Sequence, residues 1–461
     1  MSFATELSNK IISLQYSTLP TDAVHWAKVG ILDTVGVTLA GAAEDCTRIV
    51  LGVSGSGNGP ALVFGHGRRI AALDAALVNG TASHALDFDD CNNTLGGHPS
   101  APVLPALFAL ADETGASGRD FIAAYVAGFE TECKLSMVVN FHQYTKGWHP
   151  TATLGVFGSA AACAHLLKLS AEKTATALSI AASFSSGVKS NFGTMTKPLH
   201  VGHCARNGLL AALLARDGFT AGAKTFEHKQ GYFEVFNGEG NYDASRAIPA
   251  WANPLDITRP GIAIKSYPCC GSTHPAIDCM LELVHKHDLT PDNVAKIESW
   301  THPRRLEHTN RPDPQSSLDA KFSVQYTLAR VLKDRTVKIE QFEGDTWKDP
   351  ATRAILPKIH STTYTTAQFP ADNHFGAEVK VTLTDGRVVS AKTDQALGRS
   401  VDKPLPAEML KEKFDNCAAR ALSADNVSRL YAAIQDFENA KDVREIVKLA
   451  AGRGGPKRVA A

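Results

Sequence analysis

Thr151-Ala-Thr-Leu-Gly-Val-Phe-Gly-Ser-Ala-Ala-Ala-Cys-Ala-His-Leu-Leu167 is the stretch whose reading decides the fold class of this 461-residue chain. Its apolar residues recur at i, i+3 and i+4, the period of a helix. Its Gly and Ala leave room for a neighbouring helix axis to approach closely. The same spacing runs through residues 24–38, 120–138, 171–184 and 208–216, so the first 220 or so residues read as an all-α block. Start signals agree: Thr21-Asp22 follows Pro20, Ser170 precedes a run with Glu172 in its first turn, and Ser423-Ala-Asp opens a late helix.

The character changes near Pro260. Residues 294–301 and 378–384 alternate as strands do, and Thr384-Asp385-Gly386-Arg387 joins the second of them to a strand at 388–393, an Asp-Gly hairpin signal. A strong helical pattern covers 318–332. Helical spacing returns at 408–421, 426–437 and 443–450. The expectation is a mainly α protein, with a large helical domain built from both chain ends (1–259 and 401–461) and a smaller inserted α+β lid domain (260–400). The Gly-rich stretch 452–458 has no apolar face and reads as a mobile tail.

Composition excludes several classes. Apolar residues are 44% and charged residues 20%, which fits a globular protein rather than a disordered one. Forty-seven basic side chains balance forty-seven acidic ones, so the net basic field that nucleic acids and membrane surfaces select is missing. The first twenty residues lack the apolar core of an export signal, and no run approaches a membrane span. The chain reads as cytoplasmic, with its nine cysteines reduced.

Chemistry-bearing residues gather in a few segments. His84-Ala-Leu-Asp87-Phe-Asp89-Asp90-Cys91-Asn-Asn93-Thr94-Leu-Gly-Gly-His98 sets three carboxylates and a second histidine on one loop, where a like-charged neighbour raises a carboxyl pKa. A solvated acidic turn or a divalent-metal loop is the plain alternative, the second weakened because no Glu or Asp follows at calcium-loop spacing. His149-Pro150 opens a helix, and a cap histidine is its ordinary explanation. Thr196-Lys197-Pro198-Leu199-His200 lacks phosphate-loop spacing, leaving Lys197 as a cation amid apolar helices. Lys265-Ser-Tyr-Pro-Cys269-Cys270-Gly-Ser-Thr-His274 sits at the expected domain junction; its vicinal cysteines read as buried packing. Tyr326, by default, is a core aromatic with its hydroxyl bonded.

Taken together and in this order, the 33–41 Asp-Thr-Val-Gly-Val-Thr-Leu-Ala-Gly stretch and the four segments resemble the MmgE/PrpD family. Its members include 2-methylcitrate dehydratase, cis-aconitate decarboxylase and iminodisuccinate epimerase. The resemblance implies a homodimer, no metal or organic cofactor, and an inter-domain pocket for a small di- or tricarboxylate. It implies Asp87, His98, His149, Lys197, Lys265 and Tyr326 as the catalytic set, with Cys91, Asn93, Thr94, His200 and His274 contacting or orienting substrate. Family lyases generally carry Thr where this chain has Cys91, and a thiol is the poorer hydrogen-bond partner.

The chemistry expected of that set is removal of a proton α to a carboxylate, with the lysines holding carboxylates. The Cys91 departure directs the reading to an epimerase of iminodisuccinate type. The alternatives are a dehydratase or decarboxylase of the same family, a non-catalytic scaffold on this fold, and a thiol hydrolase using Cys91 or Cys270.

Overall fold

The computed structural model describes residues 1–452. Apart from Gly452, the tail expected to be mobile lies outside the described residues. The chain forms two compact units, Met1–Ile264 together with the segment from Pro406 onward, and Lys265–Leu405.

The larger unit is helical. Its principal helices are Thr21–Gly41, Ala72–His84, Ser100–Thr114, Gly118–Val139, Gly155–Leu166, Ala171–Phe184 and Thr196–Arg216. Ser170 caps the sixth of these by accepting from the Lys173 N–H at 3.2 Å, as its position predicts. The run read at 151–167 is two helices, Pro150–Thr153 and Gly155–Leu166, broken at Leu154. Lys197, read as lying in a segment before a helix, sits in the first turn of Thr196–Arg216. Pro198 does not break that turn, because first-turn N–H groups have no intrahelical acceptor.

Small residues set how closely the helices pack. Ala72–His84 meets Thr196–Arg216 at Gly80 and Gly202. A methyl group on Gly80 would stand 2.8 Å from the Gly202 Cα, and one on Gly202 would overlap the Leu77 carbonyl. This close crossing brings the C-terminal end of one helix, with His84, beside the N-terminal end of the other, with Lys197 and His200.

The returning chain adds Ala407–Ala418 and Ala424–Gln435 to this unit. Lys413 on the first of them forms a buried 2.5 Å ion pair with Asp33 of Thr21–Gly41. The same ammonium donates to the Phe88 carbonyl at 2.8 Å, pinning the loop between Asp87 and Asp89 from below.

The smaller unit carries a four-stranded sheet in the order Ile359–Thr363, Val294–Thr301, Ala377–Leu383, Val388–Thr393. The first pair is parallel and the other two antiparallel. The Asp-Gly hairpin forms where expected: Gly386 adopts φ +85° and the Asp385 carboxylate accepts from the Arg387 N–H at 3.0 Å. Helices His274–His287 and Val324–Asp334 share its apolar core. The helix expected over 318–332 is split into Ser317–Lys321 and Val324–Asp334. Phe322 closes the first and Ser323 caps the second, its hydroxyl donating to the Arg311 carbonyl and accepting from the Tyr326 N–H at 2.9 Å. Among the described residues, no helix is long and apolar enough to cross a membrane.

Lys413→Met removes the ammonium that pairs with the buried Asp33 carboxylate. It is expected to lower stability by about 3–5 kcal/mol, seen as a reduced urea midpoint at unchanged m value, and adding Asp33→Leu should restore most of the loss.

Candidate active site

The loop between His84 and Ser100 is built to hold side chains rather than to flex. Cys91 and Asn92 pair with Ala263 and Ile262. Asn92 then organises the turn: its N–H donates to the Gly97 carbonyl at 3.0 Å, and its side chain donates to the Gly261 carbonyl and accepts from the Leu95 N–H. Gly96 has φ +65° and lies where a methyl would meet the Phe141 ring at 2.7 Å, so both its backbone and its lack of a side chain are needed. The backbone N–H of His98 donates to the Thr151 hydroxyl at 3.1 Å, tying the loop to the Pro150–Thr153 helix.

At the centre lies Asp89, fully buried. His84 Nδ1 contacts its carboxylate at 2.8 Å and His98 Nδ1 at 2.9 Å. On its other edge, His98 Nε2 stands 3.6 Å from Asp87, to which Lys197 donates at 2.9 Å. Asp87 reaches this position from a left-handed backbone, φ +53°, which Asp tolerates better than most residues. The His84 ring packs edge-on against His98, with centroids 4.5 Å apart, and lies at a shallower tilt of 33° to His149, at 5.8 Å. His149 Nδ1 faces His200 Nδ1 at 3.3 Å, so one ring donates and the other accepts.

Electrostatics divides these groups into distinct roles. Burial works against an ionised Asp89, but His84 and His98 outweigh it and hold the carboxyl well below its ordinary range. Burial would likewise strip the proton from His98, yet Asp89 and Cys91 reverse the direction and raise it to about 10. His84 goes the other way: burial lowers it to about 4 despite Asp89. Burial, reinforced by His84 and Lys197, also holds His149 neutral. The site at neutral pH is therefore a loaded acid, His98, on a carboxylate, beside two neutral imidazoles and an ammonium.

Several expectations need correction. The loop carboxylates do not shift together: His84 and His98 hold Asp89 low, while Asp90 is raised, Asp89 contributing to that rise as the loop spacing predicts. Burial is the first cause of the rise at Asp90, with Asp33 and Asp89 adding to it, and its carboxylate is turned to the Ser100 N–H and hydroxyl. Thr94 is a tether, its hydroxyl donating to Asp256 at 2.6 Å. Asp256 in turn pairs with buried Lys134 at 2.5 Å. Asn93 is half-buried on the same loop.

Lys265, His274 and Tyr326 belong to the smaller unit. Lys265 is buried with its Cε beside Gly271. His274 Nε2 lies 3.2 Å from the Cys269 carbonyl, its ring edge-on to Tyr267. Tyr326 is buried in the core of that unit, its hydroxyl donating to the Gln341 carbonyl at 2.6 Å and its ring packing on Phe342. Cys269 and Cys270 are both buried, and no cysteine is in a disulfide.

Sequence reasoning did not select His84 and Asp89, although both lie in the loop it singled out. The signal was the five-residue spacing from the end of a helix to the middle of its loop, which carries no register of its own. The grouping of potential metal ligands among the described residues is His84, Asp87, Asp89 and His98, with ligand atoms within 4.8 Å of one another. Asp89 and the two imidazoles are already engaged with each other, which makes the set an ion-pair network in its own right.

Known proteins with this sequence pattern are consistent in kind. The chain is 31% identical to human cis-aconitate decarboxylase over 99% of its length and 95% of that protein's. It is 29% identical to the mouse cis-aconitate decarboxylase, covering 98% and 94%, and 26% identical to that of Aspergillus terreus, covering 96% and 95%. These relatives favour the lyase alternative over the epimerase reading drawn from Cys91, a single position whose thiol still lies beside His98. The MmgE/PrpD N-terminal domain matches residues 5–245 and the MmgE/PrpD C-terminal domain residues 267–439, and the chain belongs to the MmgE/PrpD family.

Proposed function

We propose that this chain is an acid–base lyase of the cis-aconitate decarboxylase type, acting on a small tricarboxylate. The observation that carries the reading is His98, kept as an imidazolium by Asp89, with the Lys197 ammonium on the far side of Asp87. The names of the full-length relatives supply the substrate class.

The chemistry follows from what those groups can do. A substrate carboxylate is attracted by Lys197, which already bonds a carboxylate in Asp87. Loss of carbon dioxide leaves the electron pair of the broken C–C bond spread over the adjoining C=C and carboxylate. His98 then delivers its proton to carbon, and the product is a dicarboxylate with a conjugated C=C. Decarboxylation asks for a proton donor, whereas epimerisation asks for one group to remove a proton and another to return it. His98 is a donor at neutral pH, and Asp89 both orients it and keeps it loaded. Neutral His149, held by His200, adds a dipole beside the developing charge without competing for the proton.

Incubating the purified protein with cis-aconitate in deuterated water should release carbon dioxide and place a single deuterium on the product carbon, read by proton NMR. Interconversion of iminodisuccinate stereoisomers without carbon dioxide release from cis-aconitate would refute the proposal. His98→Asn should lower kcat by about 10²–10⁴-fold, the usual share of a general acid, and, because it takes one partner from buried Asp89, should lower the melting temperature as well.

The pH dependence has a definite sign. A folded-state value of about 10 for His98, against roughly 6.5 in the unfolded chain, means that its pairing stabilises fully below roughly 6.5 and loses that contribution as pH rises to about 10. Activity should accordingly persist through mildly alkaline pH. Asp89→Asn removes the principal group raising His98, so the alkaline limb of the kcat profile should move to lower pH by more than about one unit. An unmoved limb would show that another group is the donor.

A further inference from the structure

The reaction proposed above leaves one nucleophile at the site unused. Cys91 is half-buried, whereas the other eight cysteines are all buried. Its Sγ lies 3.8 Å from Nδ1 of His98, the imidazolium that Asp89 holds at 2.9 Å. A thiol next to a fixed cation is the arrangement that favours the thiolate, the form that attacks carbon. Cys91 is also fixed in place, since its backbone pairs with Ala263.

A second, independent feature marks the cluster as a place that receives a ligand. Nε2 of His84, on a fully buried ring packed against both His98 and His149, has no hydrogen-bond partner. Its Nδ1–H is already given to Asp89, so Nε2 is an acceptor, and a hydrogen-bond donor on a bound molecule is what the ring lacks. Lys197 and His98 alongside supply the positive charge that any carboxylates of such a molecule would meet.

We infer that Cys91 is a covalent-modification site for soft carbon electrophiles, and specifically for α,β-unsaturated carboxylates. The second half rests on the proposed function, because the conjugated dicarboxylate that reaction forms is itself a member of this class. In the step, the Cys91 sulfur forms a bond to the β-carbon of the alkene and the π pair moves to the α-carbon, giving an enolate of the adjoining carboxylate. His98 transfers its proton to that α-carbon and becomes neutral. Net, S–H has added across C=C with no oxidant or reductant, and the step reverses by loss of the α-proton. The adduct fills the site and discharges its acid, so the enzyme is inhibited by accumulated product in a slow, covalent manner.

The test uses the full chain in its native state and two probes, N-ethylmaleimide and itaconate, followed by peptide mapping and by the rate of carbon dioxide release from cis-aconitate. Maleimide should label the Cys91 peptide about tenfold or more faster than any other cysteine peptide. Cis-aconitate should slow that labelling. Prolonged itaconate should add the mass of one itaconate to the same peptide, with activity falling in parallel. Cys91→Ser, and Cys91→Ala should the first be poorly folded, should keep whatever rate it starts with throughout the exposure. Preferential labelling of another cysteine, or an unlabelled Cys91 in folded protein, overturns the inference. Labelling by maleimide with no itaconate adduct in an enzyme that releases carbon dioxide overturns the product half alone. Absence of carbon dioxide release from untreated enzyme overturns the proposed function, while the maleimide map still decides the first half.

Discussion

A carboxylate with no access to water must be compensated where it lies, and the compensation of Asp89 organises this molecule's chemistry. Two imidazoles, packed against each other, meet it at the same oxygen, yet they do not share its charge evenly. His98 takes the proton, held there by Asp89 and by Cys91, while His84 remains neutral. A protonated His84 would place a second cation against His98 and within reach of Lys197, in surroundings too dry to screen them. The asymmetry therefore follows from burial plus one carboxylate between two bases, and it supplies a proton donor at the pH of a cell.

What holds Asp89 in place is the packing of helices far apart in the chain. Ala72–His84 ends at His84, and Thr196–Arg216 begins with Lys197; they are brought together by a crossing that only glycine at 80 and 202 permits. Lys413, more than three hundred residues further on, reaches in to bind both Asp33 and the Phe88 carbonyl. The C-terminal helices are thus part of the support for the site loop. This explains in physical terms why the chain returns to the helical unit after the α+β segment.

The buried polar network extends well beyond the acid. Thr94, Asp256, Lys134 and Glu130 form a second chain of contacts that anchors the far end of the loop. Glu130 accepts from the backbone N–H groups of Ala252 and Asp256, so one carboxylate orders a segment over a hundred residues away. Groups that looked like substrate contacts on the loop are, in part, what makes the loop rigid enough to present the others.

Much of this was legible in the sequence. Helical period, Ala and Gly content, the Ser170 and Ser423 caps and the Asp385-Gly386 turn are all local, set by side-chain shape and backbone freedom within a few residues. The segments around Asp87, His98, His149 and Lys197 could likewise be picked out, because titratable residues and Gly/Pro stand out in an apolar chain. What only the tertiary structure decided is which of those groups face one another. The pairing of Asp89 with His84 and His98, the tether from Thr94 to Asp256, the core position of Tyr326 and the place of the Cys91 sulfur beside His98 depend on contacts across the fold. A side chain's charge state is set by what surrounds it, and surroundings are assembled from residues that no local pattern brings together.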